Sequence, residues 1–117
     1  MNKFLIALAL ALGVPAPAHA TGGLLCRTAG QNPIQVSLVV SHTTVASVVS
    51  AQLTTSGRSI PVTVAQSWLD QDEFRLDLTD PNAMRHELRL RTKANGPFYD
   101  GSLWRGGKRQ WVRCREG

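Results

Sequence analysis

Residues 98–115 read FYDGSLWRGGKRQWVRCR, and the rest of the chain is organised around this stretch. The pair Gly106-Gly107 in its middle is a turn signal, because glycine readily adopts the positive φ angles that tight hairpin turns require. Apolar and polar residues alternate on both sides of the pair, as in strands with one buried face. The stretch is therefore predicted to form a β-hairpin whose second strand carries Cys114.

The sequence offers one potential disulfide partner for Cys114, which is Cys26. Two cysteines in an exported chain indicate a disulfide. The alternatives are two free thiols or half of a metal site. Metal sites usually bring clustered ligands, whereas the only histidines among residues 21–117 are His42 and His86. We predict a Cys26–Cys114 disulfide that closes almost the whole domain into one loop, with no metal and no cofactor.

The beginning of the chain has the pattern of a secretory signal: Lys3, then a short apolar run, then a small-x-small sequence. The apolar run is shorter than the roughly 20 residues of a transmembrane helix. We predict that residues 1–20 are a cleaved signal peptide and that residues 21–117 form a single all-β domain. The domain would be periplasmic or secreted, with no transmembrane segment after cleavage. The alternatives are an N-terminal core helix and a lipoprotein anchored at Cys26.

Period-two alternation recurs along the whole domain and predicts about eight strands. Turn signals separate them at His42-Thr43, Ser56-Gly57, Asp80-Pro81-Asn82, Asn95-Gly96 and Gly106-Gly107. The fold class is therefore all-β: a small antiparallel β-sandwich or barrel, meander-like, stapled by one disulfide.

Two-residue turns also predict registers. A turn at Ser56-Gly57 pairs Leu53 with Ile60, and a turn at His42-Thr43 pairs Val36 with Val49. Residues 45–53 also fit a helical stripe, but their β-branched content favours a strand.

Turns at Asn95-Gly96 and Gly106-Gly107 would align three strands, residues 87–93, 98–105 and 108–115. One face is then mostly apolar and is predicted to be buried, with Leu88, Leu90, Leu103, Val112 and Cys114. The other face carries the rows Glu87–Trp104–Arg109, Arg89–Ser102–Trp111, Arg91–Asp100–Arg113 and Lys93–Phe98–Arg115.

This second face is the candidate binding site. Residues 21–84 carry a net charge of −2 and residues 85–117 a net charge of +6, so charge is concentrated where the aromatic residues lie. Guanidinium groups pair with carboxylate or phosphate, and indole rings stack on flat ligands. We predict binding of an anionic envelope ligand or an acidic protein. The residues are Arg89, Arg91, Trp104, Arg109, Trp111 and Arg113. The alternative is an ordinary solvated sheet face, in which arginine stems shield the tryptophans and Asp100 offsets the charge.

Catalytic patterns are weak. His86 and Glu87 are neighbours on a strand and should point to opposite faces. His42 is predicted to be a turn residue. The acids at 70, 72 and 73 lack the glycine and distant glutamate of a calcium loop and indicate a solvated acidic loop. Trp68, just before them, is expected to cap the core.

We therefore expect a non-enzymatic binding or inhibitor-like protein, and find no firm sequence evidence for nucleic-acid binding. The alternatives are an envelope enzyme with an unseen site and a structural envelope protein with no ligand. Ligand identity and oligomeric state stay open.

Two short motifs, Thr55-Ser56-Gly57 and Thr92-Lys93, carry a family resemblance. With its size, single disulfide and all-β pattern, the chain resembles the small envelope inhibitors of lysozyme. The resemblance is one of size and location, and it implies a place in the cell envelope. The intervening spacing and the tryptophan positions differ, so no inhibitory residue is assigned from it.

Overall fold

The computed structural model describes residues 21–42 and 46–117, which form nine strands. They are β1 (Thr21–Thr28), β2 (Ile34–His42), β3 (Ala46–Thr55), β4 (Arg58–Ile60), β5 (Thr63–Leu69), β6 (Glu73–Thr79), β7 (His86–Asn95), β8 (Phe98–Arg105) and β9 (Lys108–Glu116). The predicted signal peptide and the tip of the β2–β3 hairpin lie outside the described residues. No membrane-spanning helix occurs in the part of the chain that is described. The all-β, antiparallel prediction is confirmed.

All nine strands belong to one antiparallel sheet in the order β4-β3-β2-β1-β9-β8-β7-β6-β5. The sheet curls into a half-barrel. The curl brings β3, which lies next to one edge of the sheet, into contact with β5 at the other edge. The chain is a meander on each side of the sheet, and the first and last strands, β1 and β9, pair in the centre. The fold is thus one curled sheet with nine strands, where the sequence predicted about eight.

The core lies on the concave face and follows from the alternation in the sequence. On β7, Leu88 and Leu90 are fully buried, whereas Arg89 between them is exposed. Leu103 on β8 and Val112 on β9 are also fully buried. The predicted faces of the three C-terminal strands are therefore correct.

The predicted disulfide is present. Cys26 on β1 and Cys114 on β9 lie directly opposite each other, with a Cα–Cα distance of 3.9 Å and an S–S distance of 2.01 Å. Both cysteines are fully buried. The bond therefore links β1 and β9 in the middle of the sheet, within the core.

Two hairpins have the predicted register. Thr55 pairs with Arg58 around Ser56-Gly57, so Leu53 faces Ile60 as expected. Ser56 and Gly57 have φ angles of 53° and 74°, and Gly106 and Gly107 have φ angles of 61° and 76°. Two successive positive φ angles are typical of the type I′ turn, whose twist matches that of the flanking strands.

The β7–β8 hairpin differs from its prediction. Its turn consists of Gly96-Pro97 and not of Asn95-Gly96, since Asn95 pairs with Phe98. Gly96 has a φ of 61°, as the first turn position of a type II′ turn requires. Pro97 has no N–H to donate to a ladder, so it occupies the turn and not the strand. The pairing of β7 with β8 is consequently shifted by two residues, which leaves every side chain on its predicted face.

The β2–β3 hairpin also differs. Val36 pairs with Leu53, not with Val49, and the register shifts again at Val39/Val40. This shift in the β2–β3 pairing reverses the alternation of buried and exposed side chains along β3. Val49 is therefore 60% exposed, and Val48 packs against the core. The predicted strand is nevertheless confirmed for residues 46–53, the part of this segment that the structure describes.

Candidate functional site

The outward side chains of β5 to β9 form one continuous convex surface, which we call the basic-aromatic face. All six residues predicted to bind a partner lie on it. Arg89 and Arg91 are on β7, Trp104 is on β8, and Arg109, Trp111 and Arg113 are on β9. The core residues that alternate with them point the other way, because side chains alternate along a strand; they are Leu88, Leu90, Leu103, Val112 and Cys114.

The cross-strand neighbours on this face are partly those predicted. On β8 and β9, Trp104 lies opposite Arg109, Ser102 opposite Trp111, and Asp100 opposite Arg113, as expected. The shifted β7 changes the rest. Arg89 lies opposite Trp104, Arg91 opposite Ser102, and Lys93 opposite Asp100. Asp100 is therefore not between Arg91 and Arg113, as predicted, but between Lys93 and Arg113.

The face extends further than the sequence indicated, onto β5 and β6. One unbroken row crosses five strands: Trp68, Arg75, Arg91, Ser102 and Trp111. The two tryptophans at its ends are each 52% exposed. The prediction that Trp68 caps the core is therefore wrong.

A β-bulge explains the position of Trp68. Up to Val64 the even-numbered residues of this segment turn toward the core, and the register then shifts between Val64 and Gln66. The extra residue inverts the alternation. Leu69 therefore packs against the core, and Trp68 points outward.

Asp77 on β6 binds two arginines of β7 on the basic-aromatic face. Its carboxylate accepts two hydrogen bonds from Arg91, at 3.1 and 3.2 Å, and one from Arg89 at 3.4 Å. Burial opposes the ionisation of Asp77, but the two guanidinium groups outweigh it and hold the pKa of Asp77 below its usual value. Arg91 is thus fixed by a bidentate pair that restricts its side chain.

A second pair joins Asp100 and Arg113. Arg113 donates from Nε and Nη2 to the two carboxylate oxygens, at 2.8 and 3.0 Å. The hydrogen bonds from Arg113 lower the pKa of Asp100. The guanidinium carbon of Arg113 also lies 4.0 Å from the ring centre of Phe98 and 5.4 Å from that of Trp111. This contact has the geometry expected for an arginine shielding an aromatic ring.

The acids neutralise only part of the charge on the face. Of the lysines and arginines on β6 to β9, seven alternate onto the basic-aromatic face: Arg75, Arg89, Arg91, Lys93, Arg109, Arg113 and Arg115. Four acidic side chains accompany them: Glu73, Asp77, Glu87 and Asp100. The face therefore keeps a surplus of three positive charges. Arg109, which donates to Ser102 Oγ at 3.0 Å, carries part of this surplus.

A cleft of about 280 Å³ opens beside Trp68 at one end of the row. Its walls include Gln66, Trp68, Arg75, Asp77 and Arg91. Arg75 lies over the Trp68 ring, with 5.5 Å between the guanidinium carbon and the ring centre. The cleft thus combines one aromatic wall with both hydrogen-bond donors and acceptors.

The acidic loop that follows Trp68 is an ordered turn. The Asp70 carboxylate accepts hydrogen bonds from the backbone N–H of Asp72 and Glu73, at 2.8 and 2.9 Å, and from the Trp68 indole N–H at 2.8 Å. The backbone donors, followed by the indole, lower the pKa of Asp70. The turn is also held by Tyr99, whose hydroxyl donates to the Asp70 carbonyl at 2.6 Å. Asp70 therefore shapes the loop and orients Trp68.

A larger cavity, of about 1010 Å³, opens at the end of the half-barrel. Leu24, Val40, Leu69 and Tyr99 form apolar parts of its wall, and Asp70 lies at its rim. His86 is exposed and does not line this cavity; its Nε2 lies 3.7 Å from Asp77 Oδ1 on the basic-aromatic face. The side chain of His42 lies outside what the structure describes. Among residues 21–42 and 46–117, no group of three potential metal ligands occurs.

Fold and face together define a small, disulfide-linked all-β protein whose convex sheet surface is both basic and aromatic. Comparison with known proteins found no matching family, no similar curated protein and no similar solved structure.

Proposed function

We propose that the protein is a non-enzymatic, exported binding protein that engages an anionic ligand or an acidic protein through the basic-aromatic face. The observation that carries the proposal is the five-strand row with an exposed tryptophan at each end and arginines between them. Large aromatic anchors beside arginine are the residue types that dominate binding energy at protein interfaces.

Preorganisation supports this role. Asp77 and Asp100 hold Arg91 and Arg113 in fixed positions, so these side chains lose little conformational entropy when a ligand binds. The surplus of positive charge resides on less restrained groups such as Arg109 and Lys93, whose side chain is 82% exposed. The fixed arginines thus shape the surface, and the remaining cations attract an anionic partner.

Export is part of the proposal. The Cys26–Cys114 disulfide is fully buried in the centre of the sheet, and structural disulfides persist mainly in oxidising compartments. A periplasmic or secreted location, with residues 1–20 as the cleaved signal, agrees with this bond. Mass spectrometry of the N-terminus of the protein recovered from cells would test the cleavage.

The binding role is tested with two defined polyanions, poly-L-glutamate and polygalacturonate, which represent an acidic polypeptide and an acidic glycan. Binding to at least one should weaken as salt is raised, because exposed charges are screened. Arg109→Glu should weaken it further. The matched control is Arg58→Glu, the same charge change on β4, an edge strand away from the face. Equal losses in both variants would mean that net charge alone drives binding, and the face would have no role.

A further inference from the structure

We infer that the ligand of the basic-aromatic face is an acidic oligosaccharide chain that lies across the strands, along the row from Trp68 to Trp111. This inference rests on the proposed function and specifies its ligand class.

The length of the row sets the size of the ligand. Trp68 on β5 and Trp111 on β9 occupy the same row and are separated by four inter-strand gaps. Strands lie about 4.8 Å apart, so the row spans roughly 19 Å. This distance exceeds the length of a disaccharide. A ligand that contacts both tryptophans must therefore be an extended chain.

The two tryptophan rings are held in place by their neighbours and remain half exposed. Each indole has a guanidinium carbon near its ring, Arg75 at 5.5 Å from Trp68 and Arg113 at 5.4 Å from Trp111. The Trp68 indole N–H is also bonded to Asp70. Both rings are thus held in place while half exposed, which suits them to receive the flat apolar face of a sugar ring at little entropic cost.

The polar groups between the tryptophans distinguish a sugar from other anionic chains. Arg91 and Asp77 are already paired with each other, but Arg75 offers donors, and the amide of Gln66 and the hydroxyl of Ser102 can both donate and accept. Sugar hydroxyl groups both donate and accept hydrogen bonds, so they can use all of these groups. Phosphate oxygens at neutral pH mainly accept, so a phosphate chain would leave the acceptor oxygens of Gln66 and Ser102 unused.

The distribution of charge argues against a nucleic acid in the same way. Binding of nucleic acids depends on several cations that each neutralise a phosphate. Here Arg91 and Arg113 already have bidentate carboxylate partners. An extended peptide is disfavoured because peptides commonly bind a sheet at its edge, whereas the row lies on the outward face of the sheet and four of its five strands are paired on both sides.

The cleft beside Trp68 supplies the seat for the acidic group. Arg75 lines it and has only a loose ion pair with Glu73, at 3.7 Å, with 44% of its side chain exposed. A sugar ring stacked on Trp68 would bring its carboxylate within reach of Arg75, which then forms the direct charge contact.

The experiment measures the binding of digalacturonate and hexagalacturonate by calorimetry. The hexamer should bind more tightly than the dimer, because only the hexamer reaches both tryptophans. Trp68→Ala and Trp111→Ala should each weaken hexamer binding by about tenfold, the loss of one stacking contact. The matched control is Met84→Ala, since Met84 is 80% exposed but lies in the β6–β7 loop.

A second measurement needs no substitution. In the wild-type protein, hexagalacturonate should protect the tryptophans from quenching by acrylamide more than the dimer does. This readout keeps the test valid if a tryptophan variant fails to fold.

Each alternative outcome has a definite meaning. Equal binding of neutral maltohexaose, or unchanged hexamer binding in Trp68→Ala, would overturn the inference. So would tighter binding of an oligothymidylate. If poly-L-glutamate bound and responded to Arg109→Glu while hexagalacturonate did not bind, the inference would fail and the proposed function would stand. If none of the polyanions bound, both would fail.

Discussion

The disulfide gives the most sharply defined stability prediction. Cys26 and Cys114 are separated by 88 residues, and the chain-entropy model assigns a loop of this length roughly 4.6 kcal/mol of stabilisation. Small domains have about 5–15 kcal/mol in total, so replacing both cysteines with alanine should remove a large share. For a domain of this size the corresponding fall in melting temperature is roughly 20 °C or more.

Thermal and urea unfolding followed by circular dichroism measure this loss. Wild-type protein that has been reduced is the matched control, because it lacks the bond but keeps both sulfur atoms in the core. The reduced protein should lose most of the stability that the double variant loses, with the far-ultraviolet spectrum of the folded state unchanged. A loss below about 1 kcal/mol would refute the reasoning. It would show that the denatured chain already keeps its two ends together.

Other substitutions test the core, the sheet spacing and the ion pairs. Leu90→Ala should cost about 2–5 kcal/mol in urea unfolding, because Leu90 is fully buried; a cost near zero would contradict its place in the core. Gly101→Ala should destabilise strongly, because a Cβ there would overlap the carbonyl oxygen of Arg91 on β7; a stability equal to wild type would show that the strands can separate freely. The pKa values of Asp77 and Asp100 are lowered in the folded state, so their contribution is present above about pH 4 and is lost as the pH falls through the folded values. Asp77→Asn should flatten this acid limb of the stability profile, and an unchanged profile would count against the Asp77 pair.

The sequence predicts the faces of the strands better than their partners. A two-residue turn displaced by one position changes the register by two residues, and this restores each side chain to its original side. Leu88 and Leu90 are therefore buried as predicted, although their partners on β8 differ. The Gly106-Gly107 register is correct because two adjacent glycines fix the turn, whereas Asn95-Gly96-Pro97 offers two overlapping turns and proline selects the second.

The errors in side-chain direction come from irregularities that alternation alone does not reveal. The shift near Val64 turns Trp68 outward, and the shift in the β2–β3 pair exposes Val49. The site predicted from the sequence lacks Trp68 and Arg75 for the same reason. Its β7–β9 part follows from local hairpins, but Trp68 and Arg75 join the row only once the bulge and the β5–β6 pairing are known. The sequence does hold one local signal for an outward Trp68. Asp70 lies two positions after it, and its carboxylate accepts a hydrogen bond from the Trp68 indole N–H.

The pairing of β1 with β9 has a consequence for the timing of folding. A ribosome releases the chain from its N-terminus, so β1 lacks one of its two neighbours until β9 has been synthesised. Until β9 is available, the two meanders cannot join into one sheet. The two ends of the domain also meet, since the Gly117 N–H donates to the Gly23 carbonyl at 3.2 Å. A circular permutant that joins these ends and opens the chain at Gly106-Gly107 would turn the slowest contact of the fold into a local hairpin.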